Sequence, residues 1–308
     1  MKQKYILAIS SVLFWATAAP VAKLVLGEVP NFQALGVGSV FGLLVMVAVN
    51  VLTGKIRQFR LFSARDYCWM IFLGFLGMFL YISLYYYGLT QMSSQEGVII
   101  NYLWPIMLVL FACLIEKEPL TFRKAVAMIM SFAGVVVIMS GSAPGEGDHR
   151  MAGVLCGVFG GMCFGLYSVL NKRKNYELFF ETMVIWATCA VCCFIAGFLT
   201  ETWVQLSVPA LLGVAWSGIF ANTVPCLLWA LALKDVTNSA RIANLAYLVP
   251  FLSVILSAVM LHETITARAG LAFVLIIGGI LIQSFEKKTG DNSVMNHEPE
   301  DHSYDKAV

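Results

Sequence analysis

The sequence predicts an all-α membrane protein: ten transmembrane helices forming two inverted five-helix repeats, with both termini cytoplasmic. Three observations carry this reading: the length of the apolar runs, the side on which basic residues fall, and a constant internal shift of 145 residues. Charge is scarce: of 308 residues 59% are hydrophobic and 12% charged, and the mean hydropathy is +0.81. Soluble chains carry about twice that share of charge, so water is not the main solvent of this one.

Crossing the hydrocarbon core takes about 20 apolar residues, and runs of that length recur at 5–25, 32–53, 67–89, 95–115, 122–140, 151–171, 178–199, 207–232, 239–261 and 265–285. The first run follows Lys2 and Lys4 and contains Ala16-Thr17-Ala18, which mimics a signal cleavage site. It continues through Val21, Ala22, Leu24 and Val25, and is expected to stay as an uncleaved span. Residues 287–308 are polar, bury little, and are expected to form a disordered cytoplasmic tail.

Orientation follows from the basic residues. With the N-terminus inside, the cytoplasmic segments hold Lys2, Lys4, Lys55, Arg57, Arg60, Arg65, Lys117, Arg123, Lys124, Lys172, Arg173, Lys174, Lys234, Lys287 and Lys288, while the opposite face holds Arg150 and Arg268. The positive-inside rule therefore places both termini in the cytoplasm.

The repeat appears when the chain is shifted by 145 residues. Ser94, Tyr102, Leu103 and Pro105 then fall on Ser239, Tyr247, Leu248 and Pro250, and Val109, Glu118, Thr121 and Arg123 on Val254, Glu263, Thr266 and Arg268. A looser match sets Phe14-Trp15 through Lys23 against Phe164-Gly165 through Arg173. The repeats are read as 1–141 and 151–286. Each holds five spans, and because five is odd the second half enters the membrane from the opposite side. Inverted repeats of this kind place a transporter's solute site near the bilayer midplane.

The paired Tyr-Leu-x-Pro…Glu-x-x-Thr elements (Tyr102 to Thr121, Tyr247 to Thr266), the Phe14-Trp15…Lys23 segment and the duplication resemble the EamA family of the drug/metabolite transporter superfamily, over residues 5–285. The run Asn101-Tyr102-Leu103-Trp104-Pro105 looks like the fourth span of that family's aromatic amino-acid exporters. The resemblance implies a secondary transporter that moves small metabolites by alternating access with proton or other gradient coupling, an exporter of amino acids or related compounds, aromatic ones included. It also implies a bacterial inner membrane.

Candidate pathway residues follow from backbone chemistry. Pro105 and Pro250 each remove a helix hydrogen bond and free a carbonyl four residues back, at Asn101 and Ala246. Freed backbone at membrane depth is tolerated where it faces protein or a wet cavity, so both spans should kink beside the pathway. Asn101 can contact a solute or join helices. Tyr102, Trp104 and Tyr247 offer apolar faces with a polar edge. Tyr81, Tyr85, Tyr86 and Tyr87 read as an interfacial aromatic belt.

Charges within spans mark function, and Lys23, Glu96 and Arg241 are the candidates. Lys23 and Glu96 belong to the outer side and are expected to form or tune an outer gate. Glu96 also complements the helix dipole after Ser94, whereas Arg241 has the wrong sign for its own helix start and is expected to attract an anionic group at the inner mouth. Gly153, Gly157, Gly161 and Gly165 form a small-residue stripe read as intramolecular packing.

The eight cysteines lie in or at the ends of spans; the tightest group, Cys189-x-x-Cys192-Cys193, has no carboxylate or His nearby to complete a metal site, and they read as packing residues. No cofactor or metal is expected. A membrane-embedded enzyme would need a catalytic set that the loop and tail histidines do not supply. A non-transporting scaffold is the other rival. The expected partners are a small-molecule solute and the lipid bilayer, with no nucleic acid, in a monomer or weak homodimer.

Overall fold

The computed structural model describes residues 2–140, 147–174, 176–233 and 244–284. Every regular element among these residues is helical, and eight helices are long and apolar enough to cross a membrane. They are Lys2–Leu26, Asn31–Leu52, Ala64–Gln91, Ser94–Ile115, Phe122–Met139, His149–Asn171, Leu178–Thr200 and Val208–Leu233; two shorter apolar helices follow, Leu245–Leu261 and Ala267–Ile282. These are spans one to ten.

Caps mark the boundaries. Ser63 and Ser93 open spans three and four with capping boxes closed by Asp66 and Glu96, and Thr121 and Ser207 accept from the third backbone N–H of spans five and eight. Each such cap contributes about 1 kcal/mol to its helix. Span four's cap is Ser93 rather than Ser94. Ser94 is the first helical residue, and its hydroxyl meets that of Ser257 at 2.9 Å.

The packing obeys a two-fold exchange of the halves. Spans two and seven pack together, as do five and ten, and each of these pairs is its own repeat partner. Span six packs on spans three and four, and its counterpart, span one, packs on spans eight and nine. The Gly153–Gly165 stripe lies inside this arrangement. A Cβ added at Gly153 would meet Gln91 at 2.6 Å, one at Gly157 would meet Ile100 at 2.8 Å, and one at Gly165 would meet Met107 at 2.7 Å. Spans two and eight touch backbone to backbone, so that a Cβ on Gly218 would lie 2.0 Å from the Gly38 carbonyl oxygen.

The apolar side chains left on the outer surface, such as Ile129, Val136, Val191 and Val274, have no protein neighbour to cover them; the bilayer does so without cost, since acyl chains are as apolar as they are. Cys189 and Cys193 sit in a buried cluster with Leu35, Met46 and Trp186, where they fill space as expected. No grouping of residues able to hold a metal occurs among the described residues.

Candidate substrate cavity

Prolines break four spans, and each break lies about one turn before the ring. Pro20 leaves the Ala16 carbonyl without its donor, and span one divides at Thr17 into Lys2–Ala16 and Ala18–Leu26. Pro105 does the same to Asn101, and span four divides into Ser94–Asn101 and Trp104–Ile115. Pro225 follows a π-helical stretch over Ser217–Thr223, and Pro250 follows a 3-10 turn over Asn244–Tyr247. Span three, the repeat partner of span eight, carries its own π-helical stretch at Phe75–Leu80. Such departures from α geometry mark functional segments more often than not.

These irregular segments converge on one cavity of about 520 Å³ near mid-span, between the halves. Ala18 and Ala19 line it from the first break, Asn101 and Tyr102 from the second, Ala221 and Asn222 from the third, and Ala246 and Tyr247 from the fourth. The freed carbonyls thus have a cavity to face, which is the condition for tolerating them at this depth. Aromatic rings make most of the remaining wall, with Trp15, Tyr81, Trp104, Phe164 and Trp229 prominent. The Tyr81 hydroxyl donates to Asn101 Oδ1 at 3.0 Å, leaving the amide NH₂ of Asn101 to other partners. Among the described residues, none that lines it carries a charged side chain.

Of the predicted pathway residues, Asn101, Tyr102, Trp104, Pro105 and Tyr247 line the cavity. Pro250 is buried behind Val249, which does line it. Arg241 lies outside the described residues. The aromatic-belt reading is corrected for three of its four tyrosines: Tyr81, Tyr85 and Tyr86 line the cavity, whereas Tyr87 is exposed. Met78, Tyr81, Ile82, Tyr85 and Tyr86 recur at three- and four-residue spacing and present one stripe inward, a pattern that the belt reading overlooks. Pro20 and Pro225 were equally visible as prolines inside apolar runs, but neither has a repeat-matched partner to draw attention to it.

Lys23 and Glu96 do not line the cavity and do not form an ion pair with each other. The Lys23 ammonium donates to the carbonyls of Leu89 and Met92, the latter at 2.8 Å, and so ties span one to the end of span three. Glu96 pairs with Arg150 of span six and accepts from the Ser93 N–H at 3.3 Å. Two further carboxylates complete this outer layer. Glu263 accepts from the N–H groups of Ser94 at 2.7 Å and Gln95 at 3.2 Å. Glu201 accepts from Phe32 at 2.9 Å and Gln33 at 3.1 Å. Both reach from the second half onto a helix N-terminus of the first, where the unsatisfied N–H groups and the dipole favour an anion. Ser94, Gln95, Leu89 and Val98 are buried beneath them.

A mid-membrane cavity built from broken helices of two inverted halves defines a membrane transporter, not an enzyme. The chain belongs to the EamA-like transporter family, whose model matches it twice, over residues 2–140 and 151–285. Among similar proteins, the uncharacterized transporter YvbV of Bacillus subtilis is 25% identical over 284 residues, covering 90% of each chain. The aromatic amino acid exporter YddG of Ancylobacter novellus is 26% identical over 284 residues, covering 90% of this chain and 95% of that one. A crystal structure at 24% identity matches the fold with a TM-score of 0.63, over 92% of this chain and 96% of its own.

Proposed function

We propose that the protein is a secondary transporter of amino acids or closely related zwitterions in a bacterial inner membrane, moving them outward by alternating access, with ring-bearing side chains preferred. The observation that carries this reading is the cavity wall: aromatic rings around freed backbone carbonyls, with no ionised side chain among the described lining residues. Carbonyls released by Pro105 and Pro250 are suited to an ammonium group, and the N-terminal ends of the half-helices that follow are suited to a carboxylate. Trp15, Trp104 and Tyr102 give a planar side chain broad apolar contact, and a volume of about 520 Å³ falls in the range of small-ligand sites. The similarity to an aromatic amino acid exporter agrees with this chemistry.

On this reading Asn101, Tyr102, Trp104, Pro105, Tyr247 and Pro250 shape the solute pathway, Arg241 serves its inner mouth, and Lys23 and Glu96 hold the outer face together. Two functional repeats, 1–141 and 151–286, supply the two exchangeable gates. The test is efflux from cells preloaded with radiolabelled phenylalanine, leucine or glutamate. Expression should speed loss of phenylalanine most and of glutamate least, and the Trp104→Ala variant should abolish the preference. Equal loss of all three with and without the protein, at confirmed expression, would sink the amino-acid reading.

A further inference from the structure

Glu181 is the buried carboxylate among the described residues, and neither the cavity nor the outer layer accounts for it. It lies in the first turn of span seven, only 5% exposed, and its Oε1 is buried without a hydrogen-bond partner. The sequence offers little warning, because a carboxylate one turn from a span end ordinarily reaches headgroup water. Here Phe180 on the same turn is fully buried against Phe62 and Tyr67, which closes that route.

Among the described residues no ion pair to it is present. Span two, its main packing partner, has no ionisable residue between Asn31 and Leu52. From the following turn, Lys55 is held by Glu177. From span three, Asp66 is bound by Ser63 and by the Tyr176 hydroxyl, and Lys174 lies 3.9 Å from it; Tyr67 donates to the Phe59 carbonyl. The groups in electrostatic reach of Glu181 are the hydroxyls of Tyr176 and Tyr167. Burial, reinforced by the Asp66 carboxylate, pushes Tyr176 up to about 12, so it remains a neutral phenol. An isolated anion is costly in such a place, and it neutralises instead by taking up a positive ion.

Glu181 lines neither the cytoplasmic crevice nor the central cavity itself; it faces them through Tyr176 and Tyr167, both within its electrostatic reach. Tyr176 lines a crevice of about 380 Å³ on the cytoplasmic face with Arg65, Asp66, Trp69 and Lys174. On the other side, Tyr167 packs on Phe164, which lines the central cavity, and is in electrostatic reach of Cys226, which also lines it. The Tyr167 ring lies where a Cβ on Gly77 would be 2.3 Å away, so it is held against the π-helical stretch of span three. We propose that Glu181 is a proton-binding site between the cytoplasmic crevice and the solute cavity. It exchanges its proton with the cytoplasm by way of the crevice, with Tyr167 linking it to the irregular backbone around the solute. Given the transport reading above, on which this further step rests, that proton is the coupling ion.

The site can be tested without any solute. Infrared difference spectra of the purified, lipid-reconstituted full chain, recorded between about pH 5 and about pH 9, the range in which buried carboxyl groups titrate, should show a deuterium-sensitive carboxylic-acid band that disappears as pH rises. Glu181→Gln should remove that band, and Glu181→Asp should retain it at a displaced frequency and midpoint. A band that survives in Glu181→Gln, or the absence of any titrating band, overturns the proposal. So does a wild-type band that never titrates, which would make Glu181 a permanently neutral packing group. A midpoint that moves when sodium replaces choline would assign the site to a metal cation instead. In proteoliposomes, an imposed pH gradient should then accelerate phenylalanine movement by wild type but not by Glu181→Gln; equal acceleration overturns the coupling role. Absence of any phenylalanine movement by wild type would remove the substrate assignment, while the infrared titration still decides the proton site.

Discussion

Glu263 and Glu118 occupy the same position in the two repeats, 145 residues apart, yet they do different things. Glu263 crosses to the other half and accepts from the backbone of Ser94 and Gln95, while the Gln95 side chain donates back to its carbonyl at 3.2 Å. Glu118 pairs with Lys124 of its own half at 3.0 Å, and its side chain is 47% exposed. Inversion sends the pair to opposite faces, and among the described residues Glu263 is clasped across the halves at the outer face while Glu118 meets its own half at the inner one; Ser239 and Ala240, the counterparts of Ser94 and Gln95, lie outside the described residues. A transporter that alternates must exchange such circumstances between its halves. Glu263, rather than Lys23 or Glu96, is the outer-face carboxylate that joins the two halves through two backbone N–H groups, so its loss is expected to loosen that face most.

Glu263→Ala should have the largest effect of any single change in that layer. Hydrogen bonds to a charged group contribute about 1.5–3 kcal/mol each, and every 1.4 kcal/mol is about a tenfold shift in an equilibrium. The reporter is Cys226, which lines the cavity, labelled from outside by an impermeant maleimide after the other cysteines are replaced. Glu263→Ala should raise its labelling rate by at least about tenfold, and Glu118→Ala should not raise it. Equal rates in the two variants would erase the distinction between the clasped and unclasped carboxylates.

A second asymmetry lies at the proline breaks. Asn101 and Ala246 are repeat partners, both robbed of a donor by a proline, but only Asn101 adds an amide, held by Tyr81. If that amide touches the solute, Asn101→Ala should raise the half-saturating concentration of the amino acid identified by efflux by about 2–10-fold, the scale of one neutral hydrogen bond. Ala246→Ser should leave it within about twofold. Should the two variants behave alike, the cavity reads its solute through backbone alone.

Much of this was legible before any coordinates. Span number, repeat and inversion rest on run length, charge and register, which are properties of the chain itself. The cavity-lining residues around Pro105 could be named because a proline's effect on its own helix is local. What escaped depends on which way a helix is turned. Tyr81 and Tyr87 are adjacent in sequence pattern but face cavity and surroundings respectively. Glu181 resembles any span-end carboxylate until Phe180 and span three are packed over it. The partners of Glu96 and Lys23 were equally out of reach, since Arg150 sits in a span whose lateral neighbours only the packing reveals.

Glu96 offers the finest test of the outer layer, because two interactions there can be separated. Its carboxylate closes a capping box on Ser93 and pairs with Arg150. Glutamine preserves the first, since Gln serves the box as well as Glu does, and removes only the second. With both side chains partly accessible, at 16% and 17%, the pair should contribute no more than about 1 kcal/mol. Glu96→Gln should therefore lower the melting temperature by a few degrees at most and raise external Cys226 labelling by less than about fivefold, well below Glu263→Ala. If it instead opens the outer face as fully as Glu263→Ala, the seal is ionic, and the tie from span four to Arg150 of span six outranks the carboxylate clasp from span nine.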